Sequence, residues 1–197
     1  EIKSRFLESC DENAPEYKIG SFLMVIFGGT GDLSQRKLLP ALYHLYRDEK
    51  FKDGFSILSV GLSRFSDEAY RGFVESALNR FSSDNFDQKN CSDFVRHLHH
   101  LSGSAEKDET YQELCKRLEK LSQPGSHREA NLIFYLAVPP RLFPMVVEKL
   151  KKFDLCRGIP SSKIIVEKPF GSSMPKVWHP MHSTLCSSPL TTSVSKA

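Results

Sequence analysis

The chain has 197 residues, is 40% hydrophobic and carries a formal charge of +3, enough for one well-buried domain. The small basic surplus, with both signs interleaved along the chain, argues against general nucleic-acid binding and for an anionic small ligand. Five cysteines without a C-x-x-C pair or metal-ligand spacing fit neither a disulfide framework nor a zinc site, and point to a reduced, cytoplasmic setting.

Residues 1–21 open with EIKSRFLESCDENAPEY, too polar for a signal peptide or membrane span, and read as a flexible lead to a domain over 22–171. An unbroken apolar run, Phe22 to Phe27, predicts a strand buried on both faces. It enters the turn GGTGDLS, where Gly28 and Gly31 allow a tight reversal and a close backbone approach to a phosphate. Asp32 and Ser34 fall where a helix begins. A glycine turn after a strand is otherwise only a turn, so the motif draws its weight from this context. Leu33, Leu38, Leu42 and Leu45 suit one face of the following helix, and Pro40 predicts a kink or a second short helix.

Phe55 to Gly61 predicts a second buried strand, and its tip reads Gly61, Leu62, Ser63, Arg64. A carboxylate at that position binds the adenosine ribose of NAD, whereas a guanidinium and a hydroxyl suit the additional phosphate of NADP. Ser66 is placed to cap a helix over 67–81, with Tyr70, Phe73, Val74, Ala77, Leu78 and Phe81 as its core face. A short helix then turns into a strand between Cys91 and Leu101. His97, His99 and His100 read there as surface side chains beside the strand, because no Cys or carboxylate recurs nearby at ligand spacing.

A helix over 108–121 follows, with Tyr111, Leu114, Cys115, Leu118 and Leu121 inward. The strand NLIFYLAV over 131–138 stops at Pro139 and Pro140. A crossover helix over 141–153 and a strand over 163–167 complete the pattern. Strands alternating with helices imply an α/β, Rossmann-like, doubly wound and mainly parallel sheet with helices on both faces.

Four separated motifs carry a resemblance. GGTGDL followed by Arg36, Lys37 and Pro40, then GLSR, FYLAVPP and IIVEKPFG over 164–171, together resemble the N-terminal coenzyme domain of glucose-6-phosphate dehydrogenases. The resemblance implies NADP as cofactor, and glucose 6-phosphate as substrate of the full-length family, which makes the phosphogluconolactone that opens the pentose phosphate pathway. It assigns coenzyme contacts to Gly28, Gly29, Thr30, Gly31, Asp32, Leu33, Ser34, Gln35 and Lys37 of the turn and helix start. Ser63 and Arg64 are assigned to the 2′-phosphate and Tyr135 to the coenzyme site. Lys168, placed by Pro169, is assigned to both substrate and nicotinamide. The resemblance stops at Gly171, and the family's following R-I-D-H-Y-L-G-K-E motif has no counterpart in this sequence.

Residues 172–197 instead hold ten Ser or Thr, three Pro and no Asp or Glu, and read as a disordered tail. His179 and His182 are not promoted to a catalytic base, so these residues alone are expected not to oxidise the sugar. A non-catalytic nucleotide-binding or interaction protein on the same fold is the other reading. No metal, membrane or nucleic-acid partner is expected, and the sequence leaves the oligomeric state open.

Overall fold

The computed structural model describes residues 20–51, 54–82, 86–121, 131–155 and 162–166. Lys168, Pro169, Gly171, most of the predicted lead and the whole predicted tail lie outside the described residues.

Strand β1, Phe22–Phe27, is at the centre of a five-stranded parallel sheet. It pairs with β2, Phe55–Gly61, on one side and β4, Asn131–Leu136, on the other. Beyond them lie β3, Leu98–Ser102, and β5, Ser162–Val166, giving the order β3-β2-β1-β4-β5. Side chains on a strand alternate between faces, so a central strand needs apolar residues at every position. All six β1 residues are accordingly buried. Phe22, Met24 and Ile26 join one core, while Leu23, Val25 and Phe27 join the other.

The first core is covered by α1, Leu39–Arg47, α2, Asp67–Phe81, and α3, Gln88–Val95. The second is covered by α4, Asp108–Leu121, and α5, Phe143–Lys152. The expected bounds of β1, β2, α2 and α4 match those observed. Ser66 caps α2 as expected, accepting a hydrogen bond from the Ala69 amide at 3.2 Å. Strand β4 ends at Leu136, two residues earlier than its apolar run, and a 3₁₀ turn over Pro140–Leu142 precedes α5.

The helix after the glycine turn departs from the expected register. Ser34–Leu38 forms a π-helical turn, in which the Leu39 amide bonds back to the Ser34 carbonyl, and α1 follows with Pro40 in its first turn. The wider π turn takes up one extra residue and rotates the downstream face. Leu39, Leu42, Tyr43 and Tyr46 therefore face the core. Leu33 and Leu38 are only half-buried, and Leu45 is exposed. Pro40 is tolerated because the first turn of a helix has no use for its missing amide hydrogen.

An aromatic cluster closes the bottom of the first core. The Phe55 ring lies 4.9 Å from Phe51, 5.6 Å from Tyr46 and 4.3 Å from His97, with Phe22 and Phe94 next to it. Removing such a ring from a close-packed site loses both its transfer free energy and the contacts of its neighbours. Phe55→Ala is expected to cost about 3–5 kcal/mol, read as a lower urea midpoint with an unchanged slope. A loss below about 1 kcal/mol would show that the cluster is not a stabilising core.

Candidate functional site

In a 3-2-1-4-5 parallel sheet the strand order reverses between β1 and β4, and the crevice at the C-terminal ends of these two strands is where such folds take their ligands. Gly28 leaves β1 at this point with φ +87°, a conformation that L side chains rarely adopt. Its amide donates to the Val60 carbonyl at 2.8 Å, while the Ala137 amide donates to the Phe27 carbonyl at 2.9 Å, so the turn is tied to both flanking strands. A Cβ at position 28 would lie 2.3 Å from the Ala137 carbonyl oxygen.

The Gly28 carbonyl accepts from the Gly31 amide at 2.9 Å and from the Ser34 hydroxyl at 3.0 Å, which closes the turn and aims the helix start at the crevice. The first amides of any helix lack intrahelical acceptors, and here they face the switch point with the positive end of the helix dipole. Ser34 is fully buried and locks the loop from within. Gln35 also works on the loop, donating to the Thr30 carbonyl at 3.0 Å. Asp32 is exposed and pairs with Arg36 at 2.5 Å, and Lys37 is exposed on the π turn. Gly29 is as crowded as Gly28, since a Cβ there would fall 2.2 Å from the Ser59 hydroxyl. Gly31 has an ordinary backbone, and its Cβ would meet only the Gly28 carbonyl at 3.1 Å. The positive φ of this turn therefore belongs to Gly28 and not to Gly31.

The tip of β2 stands beside the turn. The Ser63 hydroxyl donates to Thr30 Oγ1 at 3.3 Å, and the Ser63 carbonyl accepts from His100 Nε2 at 2.8 Å and from the Ser102 hydroxyl at 2.9 Å. Arg64 is exposed and lines a cleft of about 390 Å³ with Leu62, Ser102, Ser104 and Lys107, its far side formed by Thr110, Glu109 and Glu113 of α4. Asp67, at the start of α2, is taken up elsewhere: it accepts from the His100 amide at 2.8 Å, faces His99 Nδ1 at 3.1 Å and pairs with Arg117 at 3.4 Å. Burial alone would raise the Asp67 carboxyl, but the His100 amide, the His99 ring and Arg117 outweigh it and hold the group below the usual carboxylate range.

The histidines correct one expectation. His99 and His97 are half-buried, but His100 is 1% exposed and lies in the core instead of on the surface. Its ring stacks on Tyr70 with centroids 4.9 Å apart, and its Nδ1 meets the Ser59 hydroxyl at 3.1 Å. Burial lowers the His100 pKa despite the Ser63 carbonyl and Asp67, which favours the neutral ring. Tyr70 donates to the Gly29 carbonyl at 3.3 Å, and burial pushes its hydroxyl up to about 12. Tyr135 is buried at 6% exposure on the same side of the sheet. Among the described residues no group of three or more His, Cys, Asp or Glu could hold a metal ion, and no helix is long and apolar enough to cross a membrane.

The structure thus brings Gly28 to Gln35 together with Ser63 and Arg64 at one end of the sheet. That His100 and Ser102 adjoin the β2 tip was not legible in the sequence: only once β3 lies next to β2 must the residues ending β3 stand beside it.

A parallel 3-2-1-4-5 sheet with a glycine turn at its switch point defines a dinucleotide-binding domain of the Rossmann type. The family model described as "Glucose-6-phosphate dehydrogenase, NAD binding domain" matches residues 25–184. Glucose-6-phosphate 1-dehydrogenase of Chlamydia pneumoniae is 36% identical over 157 residues, covering 77% of this chain and 30% of that protein. The Rhizobium meliloti (strain 1021) enzyme is 34% identical over 154 residues, covering 78% and 30%. The crystal structure of the Mycobacterium avium enzyme superposes with a TM-score of 0.64 at 30% identity, covering 77% of this chain and 31% of that one. A solved glucose-6-phosphate dehydrogenase in complex with its substrate glucose-6-phosphate gives a TM-score of 0.66 at 32% identity, covering 80% and 32%. The chain belongs to the glucose-6-phosphate dehydrogenase family, within its nucleotide-cofactor-binding N-terminal domain, and spans about 30% of the length of these relatives.

The two glycines are expected to separate in a substitution test. Gly28→Ala meets backbone strain of about 1–3 kcal/mol and an overpacking cost of similar size. Gly31→Ala meets neither a positive φ nor a second neighbour, and is expected to cost below about 1 kcal/mol. Denaturant titration of both variants checks the order, and a Gly31→Ala loss equal to that of Gly28→Ala would contradict it.

Proposed function

We propose that this chain is the coenzyme-binding part of a glucose-6-phosphate dehydrogenase and that it takes NADP in preference to NAD. The observation that carries the preference is the chemistry of the β2 tip. Arg64 lines an open cleft, the preceding Ser63 hydroxyl lies against Thr30 of the turn, and the carboxylate that follows, Asp67, is already held by His99, His100 and Arg117. A guanidinium grips a phosphate through two parallel hydrogen bonds, whereas a ribose hydroxyl pair calls for a carboxylate.

Fit at the other end of the coenzyme rests on the turn. The absence of Cβ atoms at Gly28 and Gly29 lets the turn pack down onto Ala137, Ser59 and Tyr70, and in this reading the backbone of Gly28, Gly29, Thr30, Gly31, Asp32 and Leu33 runs beneath the pyrophosphate. Ser34 and Gln35 support that path through their bonds to Gly28 and Thr30, and Lys37 adds a nearby cation. In this reading Tyr135 flanks the coenzyme on the strand across the switch point, and Lys168 reaches substrate and nicotinamide. Both of these roles come from the family resemblance.

NADP, when bound, supplies the hydride acceptor for oxidation of the sugar at its anomeric carbon. The residues of this chain bind and orient it: the turn fixes the pyrophosphate, and the β2 tip fixes the adenosine end. Positioning of this kind accounts for a large share of enzymatic rate, because it converts an encounter into an intramolecular step. The unpaired thiols of Cys91 and Cys115 support a reducing, cytoplasmic setting.

Arg64→Ala is expected to weaken NADP by about 1.5–3 kcal/mol, on the order of 10- to 100-fold, and to leave NAD nearly unchanged. Calorimetric titration of parent and variant with both coenzymes measures this. Equal losses for the two coenzymes would refute the assignment of Arg64 to the 2′-phosphate.

A further inference from the structure

We propose that His100 is a positioning residue for coenzyme selectivity: from the neighbouring strand, its ring holds the Ser63 carbonyl so that Ser63 and Arg64 face the extra phosphate of NADP. This inference rests on the coenzyme reading above.

A carbonyl oxygen only accepts, so the 2.8 Å contact requires His100 Nε2 to carry the proton. In the neutral ring Nδ1 is then an acceptor, and the Ser59 hydroxyl, 3.1 Å away, donates to it. The Ser63 carbonyl therefore fixes the tautomer, and the Ser59 hydroxyl satisfies the nitrogen left over. Stacking on Tyr70 and a T-shaped contact with Phe65 hold the ring plane, so the donor has one direction available.

The same residue anchors the other end of the β2–α2 connection through its backbone. Its amide donates to Asp67 Oδ1 at 2.8 Å, and Ser102, two positions along β3, gives the Ser63 carbonyl its second donor at 2.9 Å. Arg64 sits between these anchors without a fixed partner of its own in the described contacts, and its side chain is exposed at the cleft. Its aim is thus set by the backbone on either side. The network also reaches the phosphate turn, because the Cβ-free space at Gly29 is bounded by Ser59, and Tyr70 donates to the Gly29 carbonyl.

The test uses the 197-residue chain and reads the NADP-to-NAD affinity ratio, which general loss of packing does not move. His100→Asn keeps a polar group near Ser59 but places no donor at the Nε2 position, whereas His100→Gln extends an amide N–H₂ toward the Ser63 carbonyl. The ratio is expected to fall about tenfold in His100→Asn, the size of one lost hydrogen bond, and to be largely retained in His100→Gln. In an Arg64→Ala background the fall caused by His100→Asn is expected to disappear, because the two residues act through the same phosphate. A folded His100→Asn that keeps the parental ratio, or a fall that persists undiminished without Arg64, overturns the proposal while leaving the coenzyme reading intact. Should His100→Asn not fold, His100→Leu, which fills the buried site without a donor, decides: a ratio that falls about tenfold supports the role and a parental ratio overturns it. A parent chain that prefers NAD, or binds neither coenzyme, overturns the coenzyme reading and this proposal with it.

Discussion

The close approach of two backbones at the switch point is the constraint on which the rest depends. At the end of β1 the backbone turns to a positive φ, which would aim a Cβ across the ladder at the Ala137 carbonyl oxygen, 2.3 Å away. Gly28 solves this by having no Cβ, and its carbonyl then collects Gly31 and Ser34. Helical backbone can begin at Asp32 because the reversal is complete within those few residues. Were the turn wider, the helix start would be displaced from the crevice, and the dipole and orphan amides that make it an anion site would point elsewhere.

Beneath the turn lies a layer unusual for the centre of an α/β core. Ser59, Tyr70 and His100 are polar, yet each is buried and each has a partner, with the Gly29 and Ser63 carbonyls as terminal acceptors. Buried polar groups are costly when unpaired and rigid when fully satisfied, so the layer adds to the Ser63–Thr30 contact in tying the two loops together. A wholly apolar core would be simpler to pack, but it would take Tyr70 from the Gly29 carbonyl and leave the Ser63 carbonyl with Ser102 alone.

Much of this was legible in the residues. β1 and β2 announced themselves as continuous apolar runs because a central parallel strand is buried on both faces, and α2 and α4 because their apolar positions recur every three or four residues. The glycine turn after β1 was readable because its signal is local. The face of α1 was not, since a π-helical turn at Ser34–Leu38 shifts the register and nothing in the local pattern distinguishes it from a regular helix. Nor was the role of His100 readable, because a histidine on a short strand looks the same whether its partner is water or a carbonyl 37 residues away in sequence. Long-range partners become visible only when the strand order is known.

The account stands on one spatial claim: a coenzyme lies across the C-terminal ends of β1 and β4, with its pyrophosphate over Gly28 to Leu33 and its adenosine 2′-phosphate between Ser63 and Arg64. A crystal structure of the chain with NADP tests it most directly. The account predicts phosphate density at both positions, with the Ser63 carbonyl still held by His100 and Ser102. Coenzyme density on another edge of the sheet, or a 2′-phosphate turned away from Arg64 into solvent, would contradict it.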